Sequence, residues 1–115
     1  MDSGPANVII TGVGGQGNIL ASQLVAAAAV AEGWHASIGE TYGASQRGGS
    51  VMSHVRLSKD YQLGPLIPLG EAHVVVGFEP LETLRVLLEY ANPSTRVIVN
   101  PRPTYPLGVS AGTVV

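Results

Sequence analysis

Asn7-Val8-Ile9-Ile10-Thr11 runs straight into Gly12-Val13-Gly14-Gly15-Gln16-Gly17, and Asn18 then opens a segment of helical periodicity. A β-branched run with no polar alternation predicts a strand buried on both faces. Beyond it Leu20, Leu24, Ala27, Ala28 and Ala31 fall on one helical face, and Gly33 supplies a C-terminal stop. The many alanines predict a helix that lies close against a sheet. Gly12, Gly14 and Gly17 satisfy G-x-G-x-x-G between a strand and a helix. Glycines there permit a tight turn and close backbone approach, and the free N–H groups of a helix start favour an anion. Gln16 adds an amide donor. Three uses stay open: a tight turn alone, a phosphate or other anion site, and a dinucleotide site. The last needs an acid at the end of the second strand, and Glu40 comes late for that, inside another glycine-rich stretch.

Working outward, His35 to Ile38 predicts a short second strand, and Gly39 to Gly49 a loop. Ser50 to Leu57 alternates, with Val51, Ser53, Val55 and Leu57 on one face and Met52, His54 and Arg56 on the other. Lys59 to Gly70, with its prolines and glycines, reads as a connection. His73 to Phe78 predicts a buried strand. Glu79-Pro80 opens a helix whose apolar face is Leu81, Leu84, Leu88 and Ala91 and whose wet face is Glu82, Arg85 and Glu89. Asn92-Pro93 ends that helix, and Arg96 to Asn100 predicts a further buried strand. The alternation predicts an α/β protein, a Rossmann-like three-layer fold with a mainly parallel sheet. It forms a single domain over residues 1–115, incomplete at its C-terminal end and expected to be a fragment.

Composition narrows the partners. With 115 residues there is room for one domain. Charged residues make up only 12%, which implies partial cover by a partner, or simply a small aliphatic core. Six Lys and Arg spread along a chain of net charge −2 form no stripe for a phosphate backbone, so no nucleic-acid partner is expected. The absence of cysteine excludes disulfides, thiolate catalysis and Cys-ligated iron–sulfur clusters held by this chain. His35, His54 and His73 lack the short spacing of a local metal site, and no metal is expected. The N-terminus carries no basic region before an apolar run, and the longest apolar stretch, Val25 to Ala31, is far short of a membrane span. A cytoplasmic location is expected.

Glu40 to Ser50 is the least ordinary segment. Gln46-Arg47-Gly48-Gly49-Ser50 sets a planar guanidinium beside two glycines and a hydroxyl. Arg47 suits a carboxylate or phosphate of a ligand, and equally an acid on a partner subunit. A conventional sheet order places this loop near the Gly12–Gly17 turn, at the carboxyl edge where ligands bind. Tyr42 reads as packing, and His54 as a surface or interface residue rather than a catalytic base. No nucleophile, base and orienting acid come together.

These two segments carry a resemblance. Gly12 to Ala21, and Glu40-Thr41-Tyr42-Gly43-Ala44-Ser45-Gln46-Arg47-Gly48-Gly49-Ser50-Val51, resemble the gamma-type domain of the 2-oxoacid:ferredoxin oxidoreductases. Pro65-Leu66-Ile67-Pro68 and Val97 to Pro103 are most similar to the small, beta, subunit of the indolepyruvate branch. The resemblance implies a non-cluster subunit that is inactive alone and supports oxidative decarboxylation of a 2-oxoacid to an acyl-coenzyme A. It implies a larger partner carrying thiamine diphosphate and iron–sulfur clusters, ferredoxin reached through the complex, and no membrane. No cofactor is expected on this chain by itself; thiamine diphosphate, the clusters and coenzyme A belong to the assembled enzyme. The residues implied near coenzyme A are Gly12, Gly14, Gly15, Gln16, Gly17, Gln46, Arg47, Gly48 and Gly49. A stand-alone nucleotide-binding module and a ligand-free interaction module are the alternatives.

Overall fold

The computed structural model describes residues 4–13, 17–42 and 50–101. In chain order these form β1 (Ala6–Val13), α1 (Asn18–Ala31), β2 (His35–Tyr42), β3 (Ser50–Ser58), β4 (Val74–Gly77), α2 (Pro80–Tyr90) and β5 (Arg96–Val99). The sheet order is β2-β3-β1-β4-β5. β1 pairs in parallel with β4, and β4 with β5. β3 is antiparallel to both β1 and β2. Four of the five strands therefore point one way, and the sheet is mainly parallel in direction, with β3 inserted against the grain. The insertion makes the sheet mixed: β1 and β2, joined through α1, are parallel but not neighbours.

Ile9 and Ile10 show how the layers form. Adjacent on a strand, they face opposite ways. Ile9 packs with Ile67, Ala72, Val75 and Val86, beneath α2. Ile10 packs with Ala26 and Val55, beneath α1. One helix thus covers each face, and the three-layer α/β expectation holds.

Several sequence expectations change in detail. β1 extends through Gly12 to Val13, so Gly12 is a buried strand residue opposite Val51 rather than part of the turn. β2 runs four residues past Ile38, and Glu40 is an exposed strand residue in register with Ser53. β5 is an edge strand exposed along its length, not a buried one. The largest correction concerns the helices. α1 buries Asn18, Ser22 and Ala26, while Leu20 and Leu24 face out. α2 buries Thr83 and Val86, while Leu81, Leu84 and Leu88 face out. Small side chains let the helices sit close to the strands, and the leucines are left on the far side. Both helix ends behave as read: Pro80 starts α2, and Gly33 (φ 91°) closes α1, its N–H donating to Val30 O at 3.0 Å.

Candidate functional site

The carboxyl ends of β1, β2, β4 and β5 lie at one edge of the sheet, as their common direction requires. Val13 pairs with Ser50, and Tyr42 with Val51. The residues that flank positions 14–16 and 43–49 are therefore strand neighbours, and both glycine-rich segments depart from the same place. Gly14, Gly15, Gln16, Gln46, Arg47, Gly48 and Gly49 themselves lie outside the described residues.

Of the predicted site residues, Gly12 and Gly17 are described. Gly17 is the N-cap of α1 in the left-handed region, φ 84°, a conformation that favours glycine. It supplies no side-chain cap, and no acid stands in the first turn. The orphan N–H groups of that turn and the helix dipole make this end electropositive. The start of α1 is fixed by Asn18, buried, whose Nδ2 donates to Val51 O at 3.1 Å. Asn18 thus ties the helix to β3 beside the β1 exit.

The chain leaves β1 over the α1 face and β4 over the α2 face. That change of side makes the crevice between their carboxyl ends the switch point where ligands of open α/β sheets bind. Gly77 and Phe78 line its far side, with Phe78 N donating to Thr11 O at 2.9 Å. Glu79 follows, buried, its Oε1 accepting from Glu82 N at 2.9 Å as the cap of α2. Asn18 and Glu79 had no place among the predicted site residues. The Glu79-Pro80 helix start was the available signal for the second, and nothing local marked the first. Glu40 lies on β2, separated from β1 by β3, so it does not occupy the position beside strand one that holds a ribose.

His54 is not at the surface: it is 1% exposed. Its Nδ1 accepts from Ile67 N at 3.0 Å, and its Nε2 stands 3.3 Å from Thr41 Oγ1. Tyr90 meets the ring edge-on at 5.6 Å. Burial first, and then the Arg56 guanidinium, hold the imidazole below its ordinary 6.5. The unfolded chain thus binds a proton more readily than the folded one. Stability is expected to fall as pH drops below about 6.5 and to level off once the folded imidazole is also protonated. Urea midpoints measured across that window check it, with His54→Asn flattening the slope.

Among the described residues no three His, Asp or Glu side chains gather as a metal site. No described helix is long and apolar enough to cross a membrane. Among the described residues, the edge offers first-turn backbone N–H groups at the electropositive start of α1, with Gly17 as its cap. The fold and this edge define an open Rossmann-like α/β module.

Residues 7–113 match the family model described as pyruvate ferredoxin/flavodoxin oxidoreductase, and the chain belongs to that family. It is 43% identical over 106 residues to indolepyruvate oxidoreductase subunit IorB of Thermococcus kodakarensis, covering 92% of this chain and 52% of that one. The subunit IorB of Archaeoglobus fulgidus is 45% identical over 107 residues, again with 52% of its length covered. The chain spans about half the length of the curated relatives it matches. Among solved structures, pyruvate oxidoreductase subunit PORC from Thermotoga maritima superposes with a TM-score of 0.67 at 21% identity, over 88% of this chain and 52% of that chain. The 2-oxoglutarate:ferredoxin oxidoreductase from Magnetococcus marinus, with 2-oxoglutarate, coenzyme A and succinyl-CoA bound, gives 0.69 at 22%, over 88% of this chain and 17% of that one. At these identities the two structures establish the fold.

Proposed function

We propose that the chain is a gamma-type domain of an indolepyruvate-type 2-oxoacid:ferredoxin oxidoreductase, acting in the cytoplasm as the small subunit beside a larger one. The observation that carries this is the identity to IorB subunits over nearly the whole chain. The outward leucines of both helices support the subunit reading, since a free surface seldom presents so many. In the reaction the carboxylate of an aryl pyruvate leaves as carbon dioxide, the acyl group passes to the thiol of coenzyme A, and the electron pair goes to ferredoxin. Thiamine diphosphate supplies the carbanion-stabilising chemistry, on the partner. A chain without cysteine does not fit an iron–sulfur cluster, so the clusters belong to the partner too.

The residues here do fit the anionic part of coenzyme A. Gly17 would let that group approach the backbone at the start of α1, whose first-turn N–H groups would donate to it, while Gly12 lies within β1. The family resemblance implies Gly14, Gly15, Gln16, Gln46, Arg47, Gly48 and Gly49 in the same role, with the Arg47 guanidinium as the charged donor.

Purification of the native complex is expected to recover a larger chain carrying thiamine diphosphate and clusters. In that complex Arg47→Ala is expected to raise the KM for coenzyme A about tenfold, the loss of one charge-assisted contact, with assembly intact. Turnover of an aryl pyruvate by this chain alone would overturn the subunit reading. The ligand-free interaction reading, which the outward leucines also favour, would gain if Arg47→Ala abolished assembly and left the KM of any residual complex unchanged.

A further inference from the structure

Residues 59–73 cross from β3 to β4 without helix or strand of their own, laid as a strap over the α2 face of the sheet. Ile67 and Ala72 enter the core beneath α2. Gly39 gives the strap room, since a Cβ there would fall 2.8 Å from Pro65 O. Arg56 Nη1 donates to Leu66 O at 3.2 Å, and Asn7 Nδ2 donates to Glu71 O at 2.9 Å.

Two further anchors share an unusual chemistry. His54 Nδ1 accepts from Ile67 N at 3.0 Å, and His73 Nδ1 accepts from Asn7 N at 2.9 Å. An imidazole accepts at a ring nitrogen only while that nitrogen carries no proton; imidazolium is a donor at both. Protonating Nδ1 of His54 sets N–H against N–H at the Ile67 anchor. The surroundings do not soften this at His54: Arg56 on its own strand adds positive charge, β2 offers the neutral Thr41 hydroxyl and α2 the neutral Tyr90 phenol, while Ile9 and Ile67 are apolar.

We propose that the part of this strap around Ile67 is acid-released, held at His54 by an unprotonated Nδ1 and loosening there when that nitrogen takes up a proton, while residues 70–73 stay bound to α2 and β1. Release uncovers His54, while its Nε2–H goes on donating to Thr41 Oγ1 at the end of β2 from which residues 43–49 depart. This rests on the hydrogen bonds alone and is independent of the proposed function.

The test is site-resolved amide exchange on the 115-residue chain by NMR. Between about pH 7.5 and about pH 5, protection of Ile67, corrected for intrinsic rates, is expected to fall about tenfold or more. Val55 and Val75, in the core, should change less than about twofold. In His54→Asn the carboxamide oxygen takes the place of Nδ1 without titrating, so Ile67 should keep its protection at the lower pH. An Ile67 amide equally protected at both pH values, or lost as steeply in His54→Asn, overturns the proposal. If that variant does not fold, His54→Gln read at Ile67 decides by the same comparison. A proton found on Nδ1 of His54 by nitrogen shifts at neutral pH also overturns it.

Discussion

Gly77→Ala is expected to cost about 3 kcal/mol, near the upper end for overpacking a core, and to lower the melting temperature by roughly 15 °C. Gly77 ends β4, between Thr11 of β1 and Val99 of β5. A Cβ there would stand 1.6 Å from Thr83 Oγ1 and 2.7 Å from Thr83 Cβ. Thr83 has no room to swing aside: it is buried, and its hydroxyl donates to Glu79 O at 2.7 Å. The whole first turn of α2 must lift, carrying Glu79 away from the carboxyl edge. Thermal and urea unfolding of the single variant measure the cost. Pairing it with Thr83→Gly, which removes the obstructing atoms, should show a favourable coupling of about 2 kcal/mol. A loss under about 1 kcal/mol for Gly77→Ala would mean that α2 does not seat on β4 at this point.

The elements were legible in the sequence because each carries a local signal. The β-branched run at Asn7 to Thr11, the alternation from Ser50 and the proline at Pro80 mark structure within a few residues of where it forms. What failed was everything decided at long range. Gly39 looked like a strand breaker, yet it continues β2, and its missing side chain admits Pro65. Alternation placed His54 with Met52 and Arg56 on a mixed face; no local pattern shows that the strap folds over that face and buries the ring. Arg96 to Val99 has the composition of a core strand but stands at the sheet edge, because strand order is set by crossovers and not by composition. The same limit applied at the site. Gly17 at the start of α1 and the shared departure point of the two glycine segments followed from the motif and the sheet rule, whereas Gly12 belongs to β1. Asn18 and Glu79 emerged only once β3 and α2 were in place to receive their hydrogen bonds.

The orientation of α2 is the sharpest case, and two substitutions two residues apart decide it. Helical periodicity makes Leu81, Leu84 and Leu88 the obvious core face. The structure instead buries Val86, 6% exposed among Ile9, Ile67, Ala72 and Val75, and leaves Leu88 80% exposed. Val86→Asp places a carboxylate in that apolar cluster and is expected to cost about 4 kcal/mol or more, enough to unfold much of the population of a marginally stable domain. Leu88→Asp sets the same charge in water and should change stability by no more than about 0.5 kcal/mol. Urea midpoints of the two variants distinguish the orientations outright, since turning the leucine face inward predicts the opposite ranking. The ranking also bears on assembly. A leucine that contributes nothing to the fold of the free chain gains a physical role only when something apolar covers it. On the proposed reading, Leu88→Asp therefore leaves the subunit folded and weakens its retention in the complex, whereas Val86→Asp removes the subunit altogether. A complex that retains Leu88→Asp as well as it retains the parent chain would place the contact with the larger subunit on another face.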